Sequence, residues 1–156
     1  MPESVKSKLW RWTFNLHPTY RSTGAWVTYL APDFRELRVK LPLSWRTRNY
    51  VGTIFGGSIY SAVDPFYMIM LIKNLGPGYV VWDKAASVRF KRPGRGTLYA
   101  KFLLSDEELS TIRSESQRLE SLDRVYEIQL SDAEGMVCAV VEKTIYIRRK
   151  QPHQSN

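Results

Sequence analysis

The sequence predicts an α+β fold in which an antiparallel sheet of about six strands wraps around one long helix, burying a single apolar core between two layers. Three observations carry this expectation. Segment 58–75 is apolar nearly all round, because Ile59, Ala62, Val63, Phe66, Ile69, Met70 and Ile72 cannot share one stripe. A helix of that kind must be covered on every side. Runs of strand-like alternation flank it in the chain, separated by turn residues. The approach to the helix is Phe55-Gly56-Gly57, a glycine pair placed where the first helical N–H groups lack intrahelical partners.

In chain order, residues 1–18 open with Pro2 and Ser4 and place Val5, Leu9, Trp12 and Leu16 at helical spacing, with Lys6, Lys8 and Arg11 elsewhere on the wheel. This reads as an amphipathic helix stopped by Pro18, and covering part of the core is its expected role, ahead of membrane docking. From Ala25 the pattern alternates. Trp26, Thr28 and Leu30 share one face, and after a turn at Pro32-Asp33 the residues Leu37, Val39 and Leu41 alternate with Glu36, Arg38 and Lys40. A hairpin with one solvated face follows from this. The apolar helix stops at Asn74-Leu75-Gly76-Pro77-Gly78.

Further strands are expected over 79–91, 98–104, 122–130 and 136–147. Arg92-Pro93-Gly94-Arg95-Gly96 reads as a turn, and Asp132-Ala133-Glu134-Gly135 as a hairpin connection with glycine suited to positive φ. Ser105-Asp106-Glu107-Glu108 carries a capping-box signature and opens a polar helix with Leu109, Ile112 and Leu119 on its inner side. The basic tail 148–156 has no periodicity and is expected to fray.

A chain of 156 residues suits one domain, with its core over 25–147. The single cysteine, Cys138, lies in an apolar run, which excludes an intramolecular disulfide and fits a buried thiol in a reducing, cytoplasmic setting. The longest apolar stretch is interrupted by Asp64, Pro65 and Lys73, so no membrane insertion is expected. A net charge of +8 favours anionic partners, but nucleic acid is disfavoured because the basic residues are scattered among acidic ones and no recognition motif accompanies them. Two histidines near the ends, His17 and His153, and one cysteine argue against a metal site.

The most compact candidate for chemistry is Asn49-Tyr50-Val51-Gly52-Thr53-Ile54-Phe55-Gly56-Gly57 with Asp64 beyond it, the only carboxylate of the apolar segment. Bare N–H groups at a helix N-terminus can hold a developing negative charge, and an acid nearby would stand beside an electrophile docked there. Asp64-Pro65 also has a structural reading, as the N-cap and first residue of a helix beginning at Pro65. Asn49 suits either an Asx-turn or a substrate contact. Tyr60 lies one turn before Asp64 and within reach of it, and Asp83-Lys84 interrupt an apolar strand as a second-tier source of polar groups.

A sheet wrapped around one helix that follows the second strand resembles the hotdog fold. Within it, Asn49, Gly52, Gly56-Gly57 and Asp64 resemble the phenylacetyl-CoA thioesterase-like branch. There, Asn-x-x-Gly-x-x-His-Gly-Gly is followed by a catalytic acid after six residues, here Ser58 to Val63. The helix at Ser105, with Asp132-x-Glu134-Gly135 and Lys143-Thr144-Ile145-Tyr146, is also similar to an uncharacterised subgroup of that superfamily, a domain of unknown function.

The resemblance implies acyl-CoA thioester hydrolysis. Asp64 would be base or nucleophile, Gly57 N–H the oxyanion donor, and Asn49 would position the water or thioester. Gly56 and Phe55 would lie beside the substrate, and Lys91, Arg92 and Arg95 would face the phosphates of coenzyme A, which is part of the substrate rather than a resident cofactor. A homodimer or homotetramer is implied as well. One position departs from the pattern: Phe55 stands at the family's histidine and cannot hydrogen-bond. The alternative is therefore a non-catalytic acyl-CoA or lipid-binding protein.

Overall fold

A computed structural model describes residues 2–151. Its elements are α1 (Val5–Leu16), α2 (Pro18–Ser22), β1 (Trp26–Leu30), β2 (Glu36–Leu41), α3 (Gly56–Val63), α4 (Phe66–Leu75), β3 (Tyr79–Phe90), β4 (Leu98–Leu103), α5 (Asp106–Glu115), β5 (Leu122–Ser131) and β6 (Val137–Arg149). The strands form one sheet in the order β1-β2-β4-β5-β6-β3, antiparallel at every pairing. Its inner face packs on α3 and α4, whose Ile59, Ala62, Val63, Phe66, Met70 and Leu71 are buried. The expected sheet around a central helix is present.

The central helix is interrupted where the sequence places Pro65. Proline offers no N–H to the preceding turn, so the ladder breaks there. Asp64 N–H still reaches Tyr60 O at 3.0 Å and Ile69 N–H reaches Pro65 O at 3.1 Å, which keeps the two halves in line. The buried Tyr20 hydroxyl donates to Ala62 O at 3.0 Å, holding a carbonyl beside the break. Burial alone pushes that hydroxyl well above the ordinary tyrosine range.

Two helical faces differ from the expectation. On α1 the stripe Val5, Leu9, Trp12 and Leu16 is turned to solvent, with exposures from 50% at Trp12 to 78% at Val5. Trp10 and Phe14 pack on the core instead, and Ser7 and Asn15 are buried. The reason is polar. β1 is an edge strand with free backbone groups, and the Asn15 amide meets them, donating to Val27 O at 3.0 Å and accepting from Val27 N–H at 2.7 Å. After α5 the chain turns away, so Leu119 is exposed while Leu109 and Ile112 are buried. The cap on α5 is half a capping box: Ser105 Oγ accepts from Glu108 N–H at 3.0 Å, but the Glu108 carboxylate accepts from Tyr126 at 2.8 Å.

Register irregularities decide two further faces. In β1 the pairing shifts between Val27 and Tyr29, so Val27 and Leu30 are buried together and Trp26 is exposed, contrary to the simple alternation. In β3 the shift lies between Asp83 and Ala85. Before it, Val81 and Asp83 oppose the inward Ile147 and Ile145; after it, Ala86 and Val88 oppose the inward Lys143 and Val141. The expected tail begins late, since Arg148 and Arg149 still pair with Val80 and Tyr79. Residues 152–156 of that tail lie outside the described residues.

Gly24 and Gly76 both have positive φ, +81° and +83°. A Cβ on Gly24 would come within 2.3 Å of Thr47 Cγ2, whereas one on Gly76 would meet open space. Gly76→Ala is expected to cost about 1–2 kcal/mol and Gly24→Ala about 2–4 kcal/mol, as read from urea unfolding midpoints. Equal costs would mean that backbone strain alone acts at both positions.

Candidate active site

β6 presents Ala139, Val141, Lys143, Ile145 and Ile147 to the core, all at or below 1% exposure. Four of the five are apolar. The fifth carries an ammonium into the interior, which requires charge compensation. Lys143 Nζ lies 2.5 Å from Asp64 Oδ1 and 3.1 Å from Asp83 Oδ1. It also donates to the Tyr60 hydroxyl at 3.3 Å. Tyr60, one turn before Asp64 on α3, donates to the same Asp64 Oδ1 at 2.5 Å. The approach to Asp83 is an ion pair without the alignment of a hydrogen bond, since Asp83 Oδ1 is otherwise unpartnered among the described residues.

This geometry bears on the cap reading of Asp64. A cap would accept a backbone N–H at the start of α4, but the Asp64 carboxylate accepts from Tyr60 and Lys143, and α4 has no side-chain cap. Both bonds fall on Oδ1. Among the described residues Oδ2 has no hydrogen-bond partner, and the side chain, 41% exposed, lines a cleft of about 840 Å³. Phe14, Tyr20, Phe55, Gly57, Pro65 and Ile69 are among the other lining residues, so the walls are mostly apolar.

The glycine pair stands at the N-terminus of α3, where the first full-turn bond is Ile59 N–H to Phe55 O at 3.1 Å. The N–H groups of Gly56, Gly57 and Ser58 precede it. A Cβ on Gly57 would lie 2.4 Å from the Phe55 ring, and one on Gly56 would lie 2.8 Å from the Phe90 ring, so a side chain at either position would have to displace an exposed aromatic ring. Two clefts meet at this helix end. Gly57 and Phe55 face the cleft of Asp64, whereas Gly56 faces a second cleft of about 390 Å³ lined by Asn49, Phe90, Lys91 and Arg92.

The structure thus brings Asp64, Gly57 and Phe55 together and places Asn49, Gly56, Lys91 and Arg92 on the other side of the helix end. Arg95, in the same loop as Arg92, is exposed and lines neither cleft. Both ends of the Asn49 side chain are engaged in its own loop: Oδ1 accepts from Val51 and Thr53 N–H at 3.1 and 3.0 Å, and Nδ2 donates to Thr53 Oγ1 at 2.9 Å. The Asx-turn reading of Asn49 is the one observed. Asp83 reaches the cluster, but its neighbour Lys84 points away to Asp123 at 2.6 Å. Lys143 escaped the sequence reading, although a charge on the inward phase of an alternating apolar strand was a legible signal.

The cluster shapes its own titration. Burial works against the Lys143 ammonium, but its hydrogen bond to Asp64 and the two carboxylate charges of Asp64 and Asp83 outweigh it and hold the group above its ordinary value of 10.5. Burial raises the Asp83 carboxyl, opposed by Lys143. Burial and the bond to Asp64 raise the Tyr60 hydroxyl. A cation whose folded pKa is raised adds stability fully present below its unfolded value and lost as pH climbs through the folded one. Wild-type stability is therefore expected to fall in a step above pH 10.5 that Lys143→Met does not show. At pH 7 that variant is expected to lose about 2 kcal/mol, less than the roughly 3–5 kcal/mol of a fully buried pair because Asp64 is partly solvated. Urea unfolding across pH reads both effects.

Comparison with known proteins agrees with this architecture. The sequence matches the domain of unknown function DUF4442 over residues 6–147. A protein of unknown function from Pseudomonas aeruginosa, named a probable thioesterase, superposes with a TM-score of 0.80 at 19% identity, over 94% of this chain and 98% of that one. A thioesterase from Haemophilus influenzae gives 0.65 at 14% identity, over 99% and 97%. A protein of unknown function from Chlorobaculum tepidum gives 0.71 at 19% identity, over 94% and 95%. No curated protein matches the sequence. At these identities the likeness establishes the hotdog fold, and the match over nearly the whole chain establishes the family: the protein is a hotdog-fold member of DUF4442.

Proposed function

We propose that the protein hydrolyses an acyl-coenzyme A thioester, with Asp64 as the working acid and the N-terminus of α3 as the oxyanion site. The observation that carries this reading is the asymmetry of Asp64: Oδ1 is anchored by Tyr60 and Lys143, while Oδ2 has no hydrogen-bond partner among the described residues and the residue lines a largely apolar cleft. At about 840 Å³ the cleft has the size of a small-molecule site. Structural neighbours named thioesterases lend support.

In the proposed reaction the acyl chain occupies this cleft and the thioester carbonyl points at Gly57 N–H. Asp64 Oδ2 takes a proton from water as the water oxygen bonds to the carbonyl carbon, and the resulting oxyanion is held at the helix N-terminus. The C–S bond then breaks, and the coenzyme A thiolate leaves with the proton returned from Asp64. Direct attack by Oδ2, with an anhydride hydrolysed in a second step, uses the same atom and the same oxyanion site. Tyr60 and Lys143 restrict the carboxylate to one orientation. Lys91 and Arg92, exposed beside the second cleft, are suited to phosphates. Pairing of two copies is supported by β3, a 12-residue edge strand with Trp82 and Phe90 exposed.

A second reading, a non-catalytic acyl-CoA or lipid-binding protein, is favoured by one observation: the Phe55 ring lies against Gly57, where the family pattern supplies a histidine. Hydrolysis of an acyl-CoA panel, followed by free-thiol release, separates the two. Asp64→Asn is expected to lower kcat at least about 100-fold with binding retained and the circular dichroism unchanged. Equal turnover by both proteins removes Asp64 from the reaction, and binding without turnover across the panel selects the second reading. Reversing the loop charge with Lys91→Glu and Arg92→Glu is expected to raise KM about tenfold at low salt and less at high salt, with little change in kcat.

A further inference from the structure

We propose that α1 is a docking helix for an anionic lipid bilayer. Its exposed residues Val5, Leu9, Trp12 and Leu16 follow a 4-3-4 spacing, which gathers them within about 60° of arc at 3.6 residues per turn. The face that packs on the core, Trp10 and Phe14, lies roughly opposite. The helix therefore has two apolar faces, and the fold uses only one. An unburied stripe of this length, with a tryptophan in it, suits the headgroup boundary of a bilayer.

Charge selects the occupant. Lys6 and Lys8 are exposed and fall on either flank of the stripe, and α1 contains no acidic residue. Glu3, just before the helix, is spent on Arg11 at 3.0 Å and on Leu30 N–H at 3.0 Å. Two copies of this face would set lysine against lysine with no carboxylate on α1 to answer; the exposed Asp33, which lines a small cleft with Lys6, shares that cleft with Lys73 as well. Their area is also small, because one face of a helix about 18 Å long offers a few hundred Å², well below the roughly 1,200 Å² of a stable pair. An anionic surface answers both lysines and needs no matched shape.

The position of the helix gives docking a use. Phe14 and His17, in and just after the last turn of α1, and Thr19 and Tyr20 of α2 form part of the wall of the Asp64 cleft. Docking would bring that cleft close to a store of acyl chains; this consequence rests on the acyl reading of the cleft, whereas the docking itself does not.

Flotation of the full chain with vesicles tests the proposal. The protein is expected to float with phosphatidylcholine vesicles containing phosphatidylglycerol, not with phosphatidylcholine alone, and to be released by high salt. Leu9→Gln with Leu16→Gln, and separately Lys6→Glu with Lys8→Glu, are each expected to weaken flotation about tenfold or more. All four side chains are exposed, so circular dichroism should not change. Absence of flotation, or flotation indifferent to both pairs of substitutions, overturns the proposal. So does a self-association in analytical ultracentrifugation that Leu9→Gln with Leu16→Gln abolishes, because it assigns the face to a second copy. Turnover of a short, water-soluble acyl-CoA is expected to be unchanged in these variants, so failure of docking and failure of hydrolysis are read separately.

Discussion

The architecture follows from a helix whose apolar side chains leave only a narrow solvent face, at Ile72 and Lys73. Segment 56–75 offers apolar side chains in every direction, and each large one left exposed would forfeit about 1.5–3 kcal/mol of burial. The curved sheet covers one side. α1 and α2 cover part of the other, and the Asp64 cleft is the part they leave open. Site and core are thus two results of one requirement. The position of the cleft along the helix is set by the break at Pro65, where backbone groups need partners from outside the helix and Tyr20 supplies one.

Within that core Lys143 is the exception. Taken whole, a buried ion cluster gains little stability over apolar side chains in place of all its members, because the loss of hydration is large even when the charge is compensated; removing the ammonium alone strands the carboxylates. What the cluster contributes is position. Lys143 on β6, Asp83 on β3, and Asp64 and Tyr60 on α3 can satisfy one another only if the helix sits at one height over the sheet. An apolar contact would tolerate sliding, whereas this cluster does not.

Elements governed by local chemistry could be read from the sequence, and residues governed by partners could not. The strands β3 to β6 fall within one or two residues of their expected bounds because alternation and turn residues are local signals. The cap of α5 by Ser105 and the positive φ of Gly135 are local as well. The orientation of α1 was not legible. Its strongest apolar stripe faces outward because the edge of β1 calls for the Asn15 amide on the inner side, and helical periodicity cannot register a hydrogen bond to a strand. The candidate site was legible in part. Motif spacing located Asp64 and the glycine pair, but its distant partner Lys143 lies 79 residues on and is joined to it only through the sheet.

The irregularity in β3 between Asp83 and Ala85 has an effect on the electrical sign of the interior. With it, the inward set is two carboxylates and one ammonium. If the strand kept strict alternation back from Ala86 and Val88, which oppose Lys143 and Val141, Lys84 would turn to their face and Asp83 to the other, leaving one carboxylate between two ammonium groups. One inserted residue therefore inverts the net charge of the set, Asp64 included, from one excess negative charge to one excess positive charge.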